Sequence, residues 1–360
     1  MADTSVATGL TVQQWDDQFF IEYLQENLFS RFMGKDENSI IQIKEDLTVK
    51  KGKSITYALV NRLTNNPVTG SGTLEGNEED MTSRSHEVTV DKRRNAVRVP
   101  EIDEQSSAIP LRNAARSVLM DWAMEDTRDL TIEALGRING VAYASATEVQ
   151  KDAWLVDNAD RVLFGAALSN NSANDHSASL ANIDNTADQL DTGAMSLMKR
   201  IALSASPKIK PIRVNGGKRF YVMFAGTEAF RDLKTDSVLQ NAQRDVSLRM
   251  QNIKLFEGGD QEWDGIIVHE VDDIVTLTGV GAAGIDVQPV YLCGAQALGH
   301  AIAKRWQSID EIFDYGDKHG VAMDSIYEVD KLTFGSGSGD TDDLKDHGVV
   351  TGFFAAVADS

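Results

Sequence analysis

Residue types that often carry catalysis are present in this chain, but their spacing does not complete a catalytic motif. Gly279 to Gly284 reads G-x-G-x-x-G, the spacing of a dinucleotide-binding turn. A strand is expected before it, over Ile274–Leu277. However, Ile285–Leu292 is β-like and contains Pro289, so no helix N-terminus would follow to hold a pyrophosphate. We therefore interpret the segment as a glycine-rich turn.

Phosphate-binding and metal-binding patterns are also incomplete. Lys53 sits in a Gly-Lys-Ser sequence, but Leu47 occupies the position of the first glycine of a phosphate loop. None of the six histidines pairs with another at the i, i+4 spacing of a zinc helix. Asp340, Asp342 and Asp343 lack the glycine and the glutamate of a calcium loop. These patterns favour ordinary histidines and a solvated acidic turn.

The single cysteine, Cys293, excludes an intrachain disulfide and a zinc site built from several thiolates. It lies in an apolar run, Val290–Cys293, which indicates a buried and inert thiol. The sequence therefore names no catalytic, cofactor-binding or metal-ligating residue, and we expect no enzyme and no cofactor. A soluble α+β enzyme with a nucleotide or metal site stays open as the alternative, since carboxylates distant in sequence can meet in space.

Composition narrows the class of protein further. The 360 residues are 42% hydrophobic and 25% charged, and the formal net charge is −20. These values exclude wholesale disorder, collagen and coiled-coil composition. The acidic excess disfavours sequence-specific DNA binding, since phosphate affinity comes from Lys and Arg. No apolar run reaches about 18–20 residues and the start lacks the pattern of a secretory signal, so we expect no membrane span and no export.

The first predicted element is an amphipathic helix that begins at Thr11. Trp15 and Phe19 lie on its apolar stripe, at helical spacing. An ordinary surface helix and an arm that lies on another subunit both fit this pattern. We state the second interpretation as a hypothesis, in which Trp15 and Phe19 anchor the helix on a neighbouring subunit or beneath the chain's own hairpin.

A long hairpin is predicted next, with strands over Ser54–Val60 and His86–Asp91 and a further strand over Ala96–Val99. Its connection contains Pro67, several glycines and an acidic stretch, and it is far longer than a hairpin turn. A two-stranded hairpin is marginal in water by itself. We therefore expect it to be stabilised by a partner.

The remainder mixes helices and strands without regular βαβ alternation, which favours an α+β fold. A long helix is predicted over residues 106–137, capped by Ser106 or Ser107. A second helix is predicted from Thr192, as its cap, through Ala205. A last strand is expected over Val349–Val357. The sequence pattern of residues 140–190 does not predict where this stretch lies in the fold.

This order of elements resembles the major capsid proteins of tailed phages, whose fold is named after the Hong Kong 97 phage. The chain is similar, from about residue 15 onwards, to the coat family of the N-four-like phages. The segments that carry the resemblance are IKEDLTVKKGKSITYALVNRLTNNPVTGSGTLE at 43–75, GNEE at 76–79, DWA at 121–123, 212–222, 256–268, GAQA at 294–297, DYG at 314–316 and GVA at 320–322.

The resemblance implies an α+β chain of five parts. They are an N-terminal arm at 1–46, an extended hairpin loop (E-loop) at 47–100, a peripheral domain with a spine helix at 101–206, an axial domain at 207–345, and a C-terminal strand at 346–360 that returns to the peripheral domain.

The resemblance also implies a function. The chain would be the major capsid protein of a tailed double-stranded DNA bacteriophage and would assemble with itself into hexamers and pentamers of an icosahedral head. Implied partners are a portal at one vertex, scaffolding and decoration or cement proteins, and DNA enclosed without sequence-specific binding. The implied location is the virion capsid, assembled in the host bacterial cytoplasm. A decoration protein is a further alternative.

The charges of the hairpin suggest a contact between copies. Its root is basic and its connection is acidic, so we hypothesise that the acidic connection of one subunit contacts a basic surface of the next. Solvated charges are the alternative, since exposed ion pairs contribute only about 0–1 kcal/mol. The residues in question are Lys50, Lys51, Lys53, Lys92, Arg93 and Arg94 at the root and Glu75, Glu78, Glu79 and Asp80 in the connection.

Overall fold

The computed structural model describes residues 28–48, 52–63, 65–107, 109–213, 217–242, 261–336 and 341–358. The chain divides into two compact units. The described residues of the first unit are 28, 91–107, 109–128 and 304–327, and those of the second are 29–48, 52–63, 65–90, 129–213, 217–242, 261–303, 328–336 and 341–358.

The elements alternate irregularly along the chain, as an α+β fold requires. The strands are β1 (Met33–Gly34), β2 (Ile41–Lys44), β3 (Ser54–Val60), β4 (Ser83–Thr89), β5 (Asp91–Pro100), β6 (Val162–Phe164), β7 (Ile212–Arg213), β8 (Arg219–Ala225), β9 (Gln261–Trp263), β10 (Ile266–Glu270), β11 (Val287–Cys293), β12 (Leu298–Phe313), β13 (Lys318–Lys331), β14 (Thr333–Ser336), β15 (Asp342–Asp346) and β16 (Val349–Ala355). The helices are α1 (Glu101–Ser106), α2 (Leu111–Gly136), α3 (Glu148–Asp157), α4 (His176–Leu180), α5 (Thr192–Ser204) and α6 (Thr227–Thr235).

A seven-stranded sheet forms the centre of the second unit, with the order β6-β16-β11-β8-β10-β9 and β7 beside β8. Every residue of β11 and β16 is buried, so this pair is covered on both faces. Phe353 packs in a cluster with Trp154 of α3, and its neighbour Phe354 packs in another with Met198 of α5. Since successive side chains of a strand point to opposite faces, helices cover both sides of the sheet.

The described part of the first unit is a helix on a sheet. Strand β13 lies between β5 and β12, and its register with β5 runs from Lys318↔Pro100 to Tyr327↔Asp91. Leu119 and Ala123 of α2 pack on Val321 and Met323 of β13. The opposite face of this sheet therefore does not carry α2.

The structure corrects the ends of several predicted elements. The long helix begins at Leu111, because Pro110 interrupts the chain after the short α1, and Ser107 is the C-cap of α1. The N-cap of α5 is Asp191, whose carboxylate accepts from the N–H of Ala194, and Thr192 is the first helical residue. Val118 and Met124 of α2 are each 50% exposed.

The unplaced stretch 140–190 contains a helix that the sequence analysis missed. Thr147 and Gln150 form a capping box at the start of α3, which is the S/T-x-x-Q signal of a helix N-terminus. Strand β6 follows and pairs in parallel with β16. Residues 140–190 thus contribute strand β6 to the central sheet and helix α3, which packs on it.

No helix in the described ranges is long and apolar enough to span a bilayer. In the glycine-rich segment, Leu277 makes an isolated bridge to Val287 and the strand expected over Ile274–Leu277 does not form. The strand β11 follows the turn, as predicted. Cys293 is fully buried at its end, and burial raises the pKa of this thiol.

Candidate assembly surface

The two hairpin strands are anchored on their own chain. Strands β3 and β4 pair in antiparallel register with Ile55 opposite Val88, and both side chains are buried. The hydroxyl of buried Tyr57 donates to the carbonyl of Gln42 at 3.2 Å. Gly299 permits this approach, because a Cβ there would lie 2.8 Å from the tyrosine ring. The expectation that the strands themselves need a partner was therefore wrong, because alternate residues supply a buried face.

A second anchor holds strand β4. The Nε2 of His86 lies 3.4 Å from a carboxylate oxygen of Asp330, and its Nδ1 lies 3.2 Å from the hydroxyl of Thr333. Burial raises the pKa of Asp330, but the hydrogen bond and charge of His86 and the charge of Arg137 outweigh it, so this pKa lies below its usual value. The root of the hairpin is thus fixed by both packing and charge.

In the connection between the strands, residues 61–82, most of the described side chains are exposed. The N–H of Asn61 donates to the carbonyl of Thr82 at 2.9 Å, which closes the base of the connection. Beyond it, Leu63, Leu74 and Met81 are 59%, 65% and 73% exposed. The connection thus exposes several large apolar side chains to solvent.

The acidic residues of the connection are mostly exposed. The carboxylate of Glu78 accepts from the N–H of Gly76 at 2.6 Å, and that of Glu79 accepts from the N–H of Asn65 at 2.7 Å. Within the described ranges, no lysine or arginine forms an ion pair with Glu75, Glu78 or Asp80 at 4.0 Å or less. The connection therefore presents acidic side chains to solvent.

The predicted basic residues fall into separate places. Lys53 is exposed at the start of β3. Lys92 pairs with Asp324 at 3.6 Å, and Arg93 pairs with Asp126 at 2.9 Å within the first unit. Arg94 is exposed. Lys50, Lys51, Trp15 and Phe19 lie outside the described residues, so the hypotheses about them stay predictions.

The first unit carries a trough on the sheet face opposite α2, a feature that the sequence analysis missed, and its charged lining residues are Lys92, Arg94, Glu311 and Asp324. The trough is a surface cavity of about 470 Å³ whose floor includes Ala96, Gly320 and Ala322. Gly320 leaves room for the ring of Phe313, since a Cβ would lie 2.7 Å from that ring. Arg98 stacks on the same ring, with its guanidinium carbon 4.6 Å from the ring centroid. Basic side chains at alternate positions of β5 were the available signal.

One cluster of carboxylates could be mistaken for a metal site. Ligand atoms of Glu148, Asp152 and Asp175 lie within 4.8 Å of one another. Asp175 caps α4 through the N–H of Ala178, and Asp152 accepts from the N–H of His176 at 2.8 Å. Asp152 and Asp175 thus accept hydrogen bonds from backbone N–H groups of this chain.

Buried histidines make the stability of the fold depend on pH. Burial lowers the pKa of His176, His300 and His347 to about 4 each. The unfolded chain binds these protons near its ordinary pKa of about 6.5, so stability falls as pH drops from about 6.5 to 4. We expect chemical denaturation to give a lower unfolding free energy at pH 5 than at pH 7. His300→Gln should shrink that difference by about a third, and an unchanged difference would contradict this origin.

Comparison with known proteins identifies the family of the chain. A family model described as phage capsid protein matches residues 3–357. The chain belongs to the phage capsid protein family. The major capsid protein of Pseudomonas phage KPP25 is 29% identical over an alignment of 365 residues, covering 95% of this chain and 94% of that protein.

Solved capsids agree with this assignment. The capsid asymmetric unit of cyanophage Pam1 is 33% identical and has a TM-score of 0.88, with 100% of each chain covered. The capsid of Ralstonia phage GP4 shares the fold, with 22% identity, a TM-score of 0.77 and full coverage of both chains. The predicted α+β phage capsid fold is confirmed, and so is the prediction of a structural protein of the virion capsid.

Proposed function

We propose that this chain is the major capsid protein of a tailed double-stranded DNA phage and that its copies assemble into the hexamers and pentamers of an icosahedral head. The observation that carries the proposal is a hairpin anchored at its root whose connection, residues 61–82, exposes Leu74 and Met81. In a capsid-family chain, such a segment suits burial against a second copy. A closed shell requires each chain to offer several complementary surfaces.

We also propose partners for the assembled capsid and a division of the chain into five parts. We propose a portal at one vertex, scaffolding and decoration or cement proteins, and assembly in the host cytoplasm. The net charge of −20 suits a coat that holds DNA without sequence-specific contacts, because phosphate groups are not attracted to it. The five-part division, with its arm at 1–46 and E-loop at 47–100, belongs to the same proposal.

Expression of the full chain alone tests the proposal. We expect sedimentation velocity and negative-stain electron microscopy of the purified protein to show capsomers, tubes or shells. A small closed oligomer whose melting temperature rises on addition of a nucleotide or a divalent metal ion would contradict it and favour the enzyme alternative.

A further inference from the structure

Helix α3 carries an apolar row on the side that faces away from the central sheet. Trp154 and Leu155 point inwards and are buried. Val149, Ala153 and Val156 are exposed, the two valines by 78% and 59%. Their spacing of i, i+4 and i+7 places the three side chains on one face of the helix. This face, which we call the α3 ridge, is open to solvent.

Carboxylates border the α3 ridge on one side. At about 3.6 residues per turn, Glu148 and Asp152 fall on the same side of the row of valines. Their oxygens and those of Asp175 lie within 4.8 Å of one another. The ammonium of Lys151 lies 4.0 Å from Glu148 and 4.4 Å from the ring centroid of Tyr143. This border therefore places three carboxylates beside one cation.

A second acidic border lies on the other side of the ridge, at Asp157. Burial and the charge of Asp343 raise the pKa of Asp157, and the charge of Asp342 acts in the same direction. The N–H of Leu344 and the charge of Lys345 oppose this shift without cancelling it. Carboxylates that raise the pKa of a neighbour gain from an added cation. Both borders of the ridge therefore favour a basic partner.

Residues 246–254 of the same sequence repeat the pattern of the ridge with the opposite charge. They lie outside the described ranges, so this match is one of sequence. The apolar residues at i, i+4 and i+7 are Val246, Met250 and Ile253. Arg249 and Lys254 stand at i+3 and i+8, the positions that Asp152 and Asp157 occupy relative to Val149. An apolar row with a cation on each side complements an apolar row with an acid on each side.

The ridge of one chain is out of reach for residue 246 of the same chain. Leu239 packs in the hydrophobic cluster of α5, whereas Trp154 of α3 packs in the cluster on the other face of the central sheet. Two packed layers of about 10 Å each separate these faces. Val246 follows Ala242, the last described residue before the gap, by four residues, which span at most about 14 Å. The segment that meets the ridge must therefore come from another copy.

We propose that the α3 ridge is the docking site for residues 246–254 of a second copy of this chain. The segment lies along the ridge as a helix, with Met250 against Ala153, where the small side chain permits the closest approach. Arg249 and Lys254 then face the two acidic borders. The contact is head-to-tail, so each copy donates one segment and receives another. This inference rests on the proposed self-assembly and names one contact within it.

Disulfide trapping tests the contact directly. The native Cys293 is fully buried, so introduced cysteines meet no reactive background. Ala153→Cys and Met250→Cys are made in separate, differently tagged copies that are mixed, assembled and oxidised. We expect a heterodimer band on a non-reducing gel. The control Leu203→Cys, an exposed position on α5, should give none with Met250→Cys. Shells without the Ala153–Met250 band would overturn the inference.

Charge exchange gives an independent readout. Val149→Lys with Val156→Lys should slow assembly at low salt by about tenfold, because the ridge then repels the basic segment. Arg249→Glu with Lys254→Glu should slow it by a similar factor. All four substitutions in one chain should recover most of the rate, because lysines on the ridge then face glutamates on the segment. The control Leu203→Lys should leave the rate unchanged.

The four-residue variant separates a lost contact from a damaged fold, because a misfolded chain is not repaired by two further substitutions. A four-residue variant as slow as its two parents would overturn the docking site. Wild-type assembly rates in both two-residue variants would also overturn it and would leave the capsid function standing. A wild-type protein that never forms capsomers or shells would overturn both proposals.

Discussion

Replacing Lys331 by methionine is expected to lower the free energy of unfolding by about 3–5 kcal/mol, because it leaves a buried carboxylate without its cation. The Nζ of Lys331 lies 2.8 Å from an oxygen of Asp346, and the two side chains are 2% and 1% exposed. The indole N–H of Trp154 donates to the same oxygen at 3.2 Å. Urea denaturation of the variant and the wild type measures the loss.

The surroundings explain why this pair is so sensitive. Asp346 donates its backbone N–H to the side chain of Asn158 at 2.8 Å, and its carbonyl accepts from the guanidinium of buried Arg161. The charge is therefore held in place by strand β15 and cannot turn towards water. Its second carboxylate oxygen, Oδ1, has no hydrogen-bond partner among the described residues.

A matched substitution in an exposed ion pair tests whether burial accounts for the expected loss of stability. Lys199 contacts Asp264 at the same 2.8 Å, but these side chains are 26% and 49% exposed. Lys199→Met should cost at most about 1 kcal/mol. The double variant Lys331→Met with Asp346→Leu should recover most of the loss, since no charge is then buried alone. Equal losses for Lys331→Met and Lys199→Met would contradict the assigned role of burial.

Removing the hairpin connection is expected to abolish shell formation and to preserve the fold. Replacing residues 62–81 by an Asn-Gly turn keeps Asn61 beside Thr82, whose backbone groups already pair. The deleted residues are mostly exposed, so the unfolding free energy of the isolated chain should stay within about 1 kcal/mol of the wild type. The particle yield by sedimentation should fall at least about a hundredfold, a loss equivalent to about 3 kcal/mol.

Replacing residues 62–81 by glycine and serine at the original length tests whether assembly needs the length of the connection or its side chains. It keeps the span of the connection but removes Leu74, Met81 and the acids, and we expect it to assemble as poorly as the deletion. Shells of normal size and yield from either variant would show that the connection is dispensable, and the interface would then lie elsewhere on the chain.

Sequence reasoning located the elements whose patterns are local. β-Branched and aromatic residues predicted β3, alternating residues predicted β4 and part of β5, and apolar β-like runs predicted the buried strands β11 and β16. The predicted start of a helix was wrong where it depends on a single N-cap residue, as at Asp191, or on a proline, as at Pro110. Helix α3 was not predicted. Its capping box at Thr147 is present in the sequence, but the surrounding residues are typical of loops.

The assembly surface was only half visible in the sequence. The acidic stretch is contiguous in sequence, so Glu75, Glu78, Glu79 and Asp80 could be singled out directly. The trough is built from β5, β12 and β13, and only their pairing brings Arg98 beside Phe313 and Gly320. Nor could the sequence foresee that Lys92 and Arg93 are bound to Asp324 and Asp126, because ion pairs between distant strands leave no local pattern.

The hairpin connection of each copy is expected to contact a second copy in an assembled shell. A three-dimensional reconstruction of the purified particle by electron cryo-microscopy measures this most directly. We expect density for residues 74–81 against an adjacent chain. A shell in which residues 61–82 contact only their own chain, or solvent, would contradict it.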